Sequence, residues 1–256
     1  MNQVVVVSGG GTGIGYATAR YFARRNAQVI IIGRRLDRLE RAATEIAGDY
    51  PQAPAVMTLG ADLSRPEQVE RVRQVLGERF EAIDVLVNAA GGHVLRQRPA
   101  AEYVDGLDGV ARRWADNFNL NTLSAVLLTE ALVDRLKVPG GRIVFISSIA
   151  AYRGSGQGCY GAAKAALHPY CYDLAKALGP RGITVNTIAP GYVEDTEFFG
   201  SAFSDTQHQA KLAETMNGRA GTTDDIANTV GWLASPDACH VTAQIIQING
   251  GAERGR

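Results

Sequence analysis

Cysteine is scarce in this chain of 256 residues: Cys159, Cys171 and Cys239 are the only three. An odd number at wide spacing, with no Cys-x-x-Cys and no Cys/His cluster, excludes a disulfide framework and predicts no metal site. It fits a reducing cytoplasm. Long apolar runs are absent too; none approaches the ~18–20 residues of a membrane span. Residues 1–3 lead into the apolar run 4–7 with neither the basic stretch nor the cleavage pattern of a secretion signal. Charge of one sign shows no excess, with 26 Lys+Arg against 26 Asp+Glu. A polyanion partner would call for a clustered basic excess, so that balance argues against nucleic acid. Hydrophobic residues at 46% and charged residues at 20% exclude disorder and collagen. Glycine alone is abundant, 29 of 256 residues, against a usual share of roughly 7%.

Short aliphatic, β-branched runs recur at 4–7, 29–32, 56–59, 85–87, 143–146, 183–185 and 245–248. They are nearly continuous rather than alternating, as in strands buried on both faces. Helix-period stretches lie between them at 17–25, 36–47, 66–78, 120–136, 160–178 and 223–234. Strand–helix alternation predicts right-handed crossovers and an α/β fold. The expectation is one Rossmann domain over 1–256, a doubly wound seven-stranded parallel sheet with helices on both faces. Residues 92–116 and 192–217 break the pattern. Each follows a strand end, where such sheets build the ligand crevice and its lid.

Ser8-Gly9-Gly10-Gly11-Thr12-Gly13-Ile14-Gly15 follows the first strand and opens the first helix. Glycines at 9, 13 and 15 let the backbone turn tightly and approach a pyrophosphate at a positive helix terminus. Ser8, Gly9, Gly11, Thr12, Gly13, Ile14 and Gly15 are the expected cofactor contacts here. The end of the second strand reads Ile32-Gly33-Arg34-Arg35. A carboxylate there would select NAD through the ribose hydroxyls. Two guanidiniums instead suit a 2′-phosphate, so NADP(H) is expected through Arg34 and Arg35. The alternative is that both are solvated charges at the start of a helix.

Tyr160 and Lys164 stand four apart on a helical segment, hence on one face. A lysine beside a phenol favours phenolate and makes tyrosine a usable acid–base near neutral pH. Such a spacing is often only a surface pair. Here Ser147-Ser148 closes the strand run 143–146, just upstream.

Together these residues resemble the short-chain dehydrogenase/reductase family, in its short, 3-oxoacyl-carrier-protein-reductase-like branch. The resemblance covers essentially the whole chain. It rests on Ser8-Gly9-x-x-x-Gly13-Ile14-Gly15, Asp62, Asn88-Ala89-Ala90-Gly91, Asn121, Ser148, Tyr160-x-x-x-Lys164, Asn186, Pro190-Gly191 and Gly250-Gly251. It implies that Tyr160 protonates a carbonyl oxygen as hydride arrives, and that Ser148 holds that oxygen. Lys164 binds the nicotinamide ribose and tunes Tyr160, while Asn121 anchors a water leading to Lys164. Asp62 and Leu63 lie against the adenine. Asn88, Ala89, Ala90 and Gly91 flank the cofactor, and Pro190, Gly191 and Val193 line the nicotinamide. Substrate contacts are expected from Ser148, Tyr160, Tyr152, Gln157 and Tyr192. His93 is either a further one or an exposed loop histidine. Phe198, Phe199 and Phe203 form a substrate lid or simply pack it down. A homotetramer, or a dimer, is the implied assembly.

The chain departs from the family pattern at several points. Ser8 replaces threonine. The interval from Ser148 to Tyr160 is one residue short, so Ser147 competes for the role of functional serine. Tyr192-Val193-Glu194-Asp195-Thr196 has one residue extra, leaving open whether Thr196 reaches the cofactor. Pro169 lies inside the catalytic helix pattern, where it removes a hydrogen bond and favours a bend. The expected activity is NADPH-dependent reduction of a ketone, such as a 3-oxoacyl thioester or polyketide-like ketone, to a secondary alcohol. The alternatives are NAD-linked alcohol oxidation and a non-catalytic dinucleotide-binding protein, since fold alone does not fix function.

Overall fold

A computed structural model describes residues 3–97, 106–156, 158–199 and 203–254. The seven expected strands are β1 (Val4–Ser8), β2 (Gln28–Gly33), β3 (Met57–Gly60), β4 (Val85–Asn88), β5 (Arg142–Ile146), β6 (Thr184–Pro190) and β7 (Ile245–Ile248). All pair in parallel, in the order β3-β2-β1-β4-β5-β6-β7. The order reverses between β1 and β4. Successive connections leave that point in opposite directions and open a crevice at the carboxyl ends of the strands.

Both sheet faces are covered. Val5, Val7, Val29 and Ile31 pack with α1 (Gly13–Ala23), α2 (Leu36–Asp49) and α11 (Thr223–Leu233). Val6, Ile30, Ile32, Leu86 and Phe145 point the other way, onto α3 (Pro66–Arg79), α6 (Ser124–Leu132) and α9 (Leu167–Leu178). Neighbours on one strand thus feed opposite cores, which is why these runs are continuously apolar rather than alternating. Each fully buried Ile or Val contributes about 1.5–3 kcal/mol.

The first helix begins at Gly13, earlier than its apolar periodicity indicates, because the glycine turn itself winds into it. The stretch 120–136 is not one helix. It opens with a π-turn, Asn119–Leu123, before α6 and a closing 3₁₀ turn, Val133–Arg135. The stretch 160–178 is also divided, into α8 (Cys159–Ala165) and α9, with the break at Ala166. Pro169 has no N–H to give the Ala165 carbonyl, so the break falls where that bond is missing. Two helices lie inside segments whose periodicity is weak: α5 (Leu107–Phe118) and α10 (Asp205–Ala213). Short helices α4 (Val94–Gln97) and α7 (Ala150–Arg153) complete the set named here.

The turn between β1 and α1 is held by close backbone contact. A Cβ on Gly15 would collide with the Gly9 carbonyl. Because both partners in that clash are backbone, it cannot be relieved by a rotamer change. Gly15→Ala should destabilise the protein by about 1–3 kcal/mol, lowering the melting temperature by several degrees. Thermal unfolding without ligand measures this; an unchanged midpoint would show that the turn is not tightly packed.

Candidate active site

The crevice is a cleft of about 740 Å³. Its floor is the glycine turn, with Gly9, Gly11, Thr12, Gly13, Ile14 and Gly15 all lining it. Gly9 takes a left-handed φ of 70°, and a Cβ there would stand 2.8 Å from the Ala90 nitrogen. A Cβ on Gly13 would meet only the Thr196 side chain, at 3.7 Å. The glycines therefore present bare backbone to the cleft between Thr12 and Ile14. Thr12 precedes α1 without a side-chain cap, and no acidic residue stands in the first turn. The helix thus leaves its first N–H groups and positive dipole end to an anion. Ser8 sits behind this turn, its hydroxyl accepting the Ala90 N–H at 3.0 Å.

One end of the cleft is cationic. Arg34, Arg35, Arg38 and Arg65 line it, together with Asp62, Leu63 and Ser64. Burial acts to raise the Asp62 carboxyl. The Ser64 hydroxyl at 2.7 Å and backbone N–H at 3.0 Å, with Arg34 and Arg65 nearby, outweigh that and hold it below the usual carboxylate range. Arg38 and Arg65 escape a motif-based reading. Arg38 could have been found as the residue one helical turn beyond Arg35. This donor set fits a dinucleotide carrying a phosphate on its adenosine ribose.

The other end holds Tyr160 and Lys164. Tyr160 is buried on α8, its ring between His93 at 5.5 Å and Phe198 at 5.3 Å between centroids. His93 is buried as well, so it is not an exposed loop histidine. Lys164 lies one turn on, and its ammonium donates to the Ile146 carbonyl at 2.8 Å. Burial lowers its pKa from 10.5 to about 8. Gly91 is wedged between the Asn121 and Lys164 side chains: a Cβ there would lie 2.7 Å from Asn121 Oδ1 and 2.8 Å from Lys164 Nζ. Asn121 sits in the π-turn. Its amide donates to the Gly92 carbonyl at 2.8 Å and the Asn117 carbonyl at 3.0 Å, while Oδ1 accepts the Gly92 N–H at 2.9 Å. Its side chain is thus a clamp on the β4 loop. Asn88 donates to Thr129 Oγ1 at 2.9 Å, behind the cleft, while Ala89, Ala90 and Gly91 line it.

The paired serines differ. Ser147 lines the cleft, but its hydroxyl donates to the Lys164 carbonyl at 3.1 Å. With its single proton given there, it accepts from His168 Nε2 at 2.9 Å. Ser148 accepts the Ala150 N–H at 3.1 Å and, unlike Ser147, is not among the residues lining the cleft. The short interval to Tyr160 is accommodated by a tight loop in which Gly154, Gly156 and Gly158 all adopt positive φ.

Pro190, Gly191 and Val193 line the wall beyond β6. The extra residue that follows is absorbed at Asp195, which takes a left-handed φ of 54°. Thr196 consequently does reach the cleft. Phe198 packs on Tyr160, and Phe199 bridges Phe198 and Tyr192. Tyr192 hydrogen-bonds His208 Nδ1 at 2.7 Å. Tyr152 packs at a tilt against His168, 5.3 Å between centroids, and is not among the residues lining the cleft. Gln157 lies outside the described residues.

A nucleotide-scale cleft at the switch point, an uncapped helix terminus and a tyrosine–lysine pair define a dinucleotide-dependent oxidoreductase site. Comparison with known proteins agrees. A family model described as enoyl-(acyl carrier protein) reductase, of the adh_short_C2 type, matches residues 9–253. A 3-oxoacyl-[acyl-carrier-protein] reductase from Vibrio cholerae is 32% identical over 251 residues, covering 97% of this chain and 96% of the relative. The Escherichia coli reductase of that description is 34% identical over the same coverage. Among solved structures, a short-chain dehydrogenase/reductase from Brucella melitensis superposes with a TM-score of 0.86 at 29% identity, covering 99% of this chain and 98% of the other. A short-chain dehydrogenase from Burkholderia cenocepacia, solved in complex with NADP, gives 0.82 at 29% identity, over 98% and 97%. The chain belongs to the short-chain dehydrogenase/reductase family.

Burying the Lys164 ammonium should destabilise the fold. Its native pKa lies near 8 and its ordinary value is 10.5, so between these the unfolded chain binds more protons and stability rises with pH. Below that window the penalty is fully present. Lys164→Met should therefore stabilise the protein at neutral pH by about 1–3 kcal/mol, with the gain shrinking as pH approaches 10. Melting curves across pH test this; a variant less stable at neutral pH would contradict it.

Proposed function

We propose that this protein uses NADPH to reduce a ketone to a secondary alcohol, with a 3-oxoacyl thioester as the leading substrate class. The carrying observation is the buried Tyr160–Lys164 pair at one end of a cleft whose other end is lined by four arginines. When bound, NADPH supplies the hydride. Tyr160 holds the proton that the carbonyl oxygen takes up, and Ser148 donates a hydrogen bond to that oxygen. Such positioned donors act where negative charge develops. Ser148 is assigned over Ser147 because the Ser147 proton is directed to the Lys164 carbonyl. Lys164, charged and desolvated, stabilises the phenolate that Tyr160 becomes when its proton passes to the carbonyl oxygen. Lys164 would also hold the nicotinamide ribose. Asn121 and Gly91 fix where Lys164 stands, and Pro190, Gly191 and Val193 form the nicotinamide wall. His93 and Phe198 shape the space beside Tyr160.

Arg34 and Arg35 take the 2′-phosphate, with Arg38 and Arg65 adding charge, while Asp62 and Leu63 meet the adenine. The printed names of the curated relatives support reduction at a 3-oxo group, whereas the family model's description names an enoyl group. A pair of hydroxyl donors suits an oxygen rather than a carbon–carbon double bond. A homotetramer is the proposed assembly. It is supported by the exposed stripe Leu107, Val110, Trp114 and Phe118 along α5, and light scattering discriminates it from a dimer or monomer. The free thiols of Cys159, Cys171 and Cys239 are compatible with a cytoplasmic setting.

Fluorescence titration should show NADPH binding at least tenfold more tightly than NADH, a difference of ~1.4 kcal/mol. Equal or tighter binding of NADH would remove the arginine assignment. Tyr160→Phe should lower kcat for ketone reduction by about 10²–10⁴-fold, with NADPH affinity nearly unchanged. A fully active variant would exclude Tyr160 as the proton donor.

A further inference from the structure

The segment after β6 crosses the whole cleft. Its base is fixed by hydrogen bonds between Glu194 N–H and the Gly221 carbonyl at 3.0 Å, and between Gly221 N–H and the Tyr192 carbonyl at 2.9 Å. Its tip carries two contacts on adjacent residues. The Glu197 carboxylate meets Arg35 at 2.9 Å and Arg38 at 3.3 Å. Phe198 lies on the Tyr160 ring. One short stretch therefore touches the cationic end and the acid–base end of the cleft together.

We infer that Glu197 is a cofactor-sensing latch, a specificity-determining residue that holds the tip over Tyr160 until the 2′-phosphate of the cofactor displaces it from Arg35 and Arg38. This rests on the proposed use of NADPH. The charges favour the exchange. A carboxylate brings one negative charge to two guanidiniums, whereas a phosphate monoester brings about 1.5 to 2 and three acceptor oxygens. The outgoing pair is weak because it is solvated: Glu197 is 48% exposed and Arg35 56%. Such pairs contribute only about 0–1 kcal/mol. Releasing Glu197 moves its neighbour Phe198, which frees the face of Tyr160 for substrate. NADH carries no 2′-phosphate and leaves the latch engaged. Discrimination between the cofactors then includes access to the catalytic tyrosine as well as affinity.

The probes are adenosine 2′,5′-bisphosphate and 5′-AMP, added to the full-length wild type, Glu197→Gln and Arg35→Gln. Binding is measured by calorimetry, and hydrogen exchange is followed at residues 193–199. In the wild type, the bisphosphate should bind more tightly than 5′-AMP and accelerate exchange at the tip, while 5′-AMP should not. Glu197→Gln should show fast exchange without ligand and bind the bisphosphate about two- to fivefold more tightly, with 5′-AMP unchanged. If the wild type and Arg35→Gln bind the two probes alike, the NADPH reading fails and this inference falls with it. If the wild type prefers the bisphosphate and Arg35→Gln loses that preference, but the tip slows or does not respond, NADPH use stands and the latch is overturned. Equal gains for both probes in Glu197→Gln would also overturn it.

Discussion

A charged ammonium held away from water is the constraint around which the site is arranged. Lys164 is buried where the ends of β4 and β5 meet, with one hydrogen bond to the Ile146 carbonyl. An isolated buried charge costs several kcal/mol unless partners are placed for it. The surrounding structure is correspondingly close-fitting. Gly91 leaves room for no Cβ between Lys164 and Asn121, and Asn121 clamps Gly92 from a π-turn. Insertions of that kind in helices recur at functional sites. Here the extra residue aims the Asn121 amide at the β4 loop. A penalty maintained by so many contacts is the usual mark of a group retained for chemistry rather than stability.

The cleft is polarised along its length. Arginines gather at the carboxyl end of β2, and the tyrosine and lysine stand beyond β5 on α8. The glycine turn runs between them as exposed backbone. The parallel strand order places all these strand ends on one edge, so residues distant in sequence converge without any long excursion of the chain. The segment bearing Thr196, Glu197, Phe198 and Phe199 spans both poles, and this gives the two ends a physical connection.

Much of this was legible in the sequence because it depends on local chemistry. Buried parallel strands are continuous apolar runs, and all seven were visible. Gly9, Gly13 and Gly15 sit between a strand and a helix, which made the tight turn readable. Tyr160 and Lys164 share a helical face by spacing alone. What escaped depends on distant partners. Helix α5 carries its apolar stripe on the exposed side, so its period did not stand out against a core pattern. The Glu197–Arg35 pair joins residues 162 apart, and no local signal marks it. Ser147 meets His168 and the Lys164 carbonyl across the helix junction at Ala166, partners that no local signal marks. The added residue before Thr196 left its reach open until Asp195 was seen in the left-handed region.

The central claim is hydride transfer at this cleft from a nicotinamide to a carbonyl carbon that Tyr160 protonates at oxygen. The most direct test uses NADPH deuterated at the transferring position, a 3-oxoacyl thioester and the intact protein, with the product examined by mass spectrometry and NMR. The account predicts one deuterium at the carbinol carbon, transferred from a single face of the nicotinamide, and an exchangeable hydrogen on its oxygen. Formation of alcohol without deuterium at that carbon, or no turnover of any ketone by protein that binds NADPH, would contradict it.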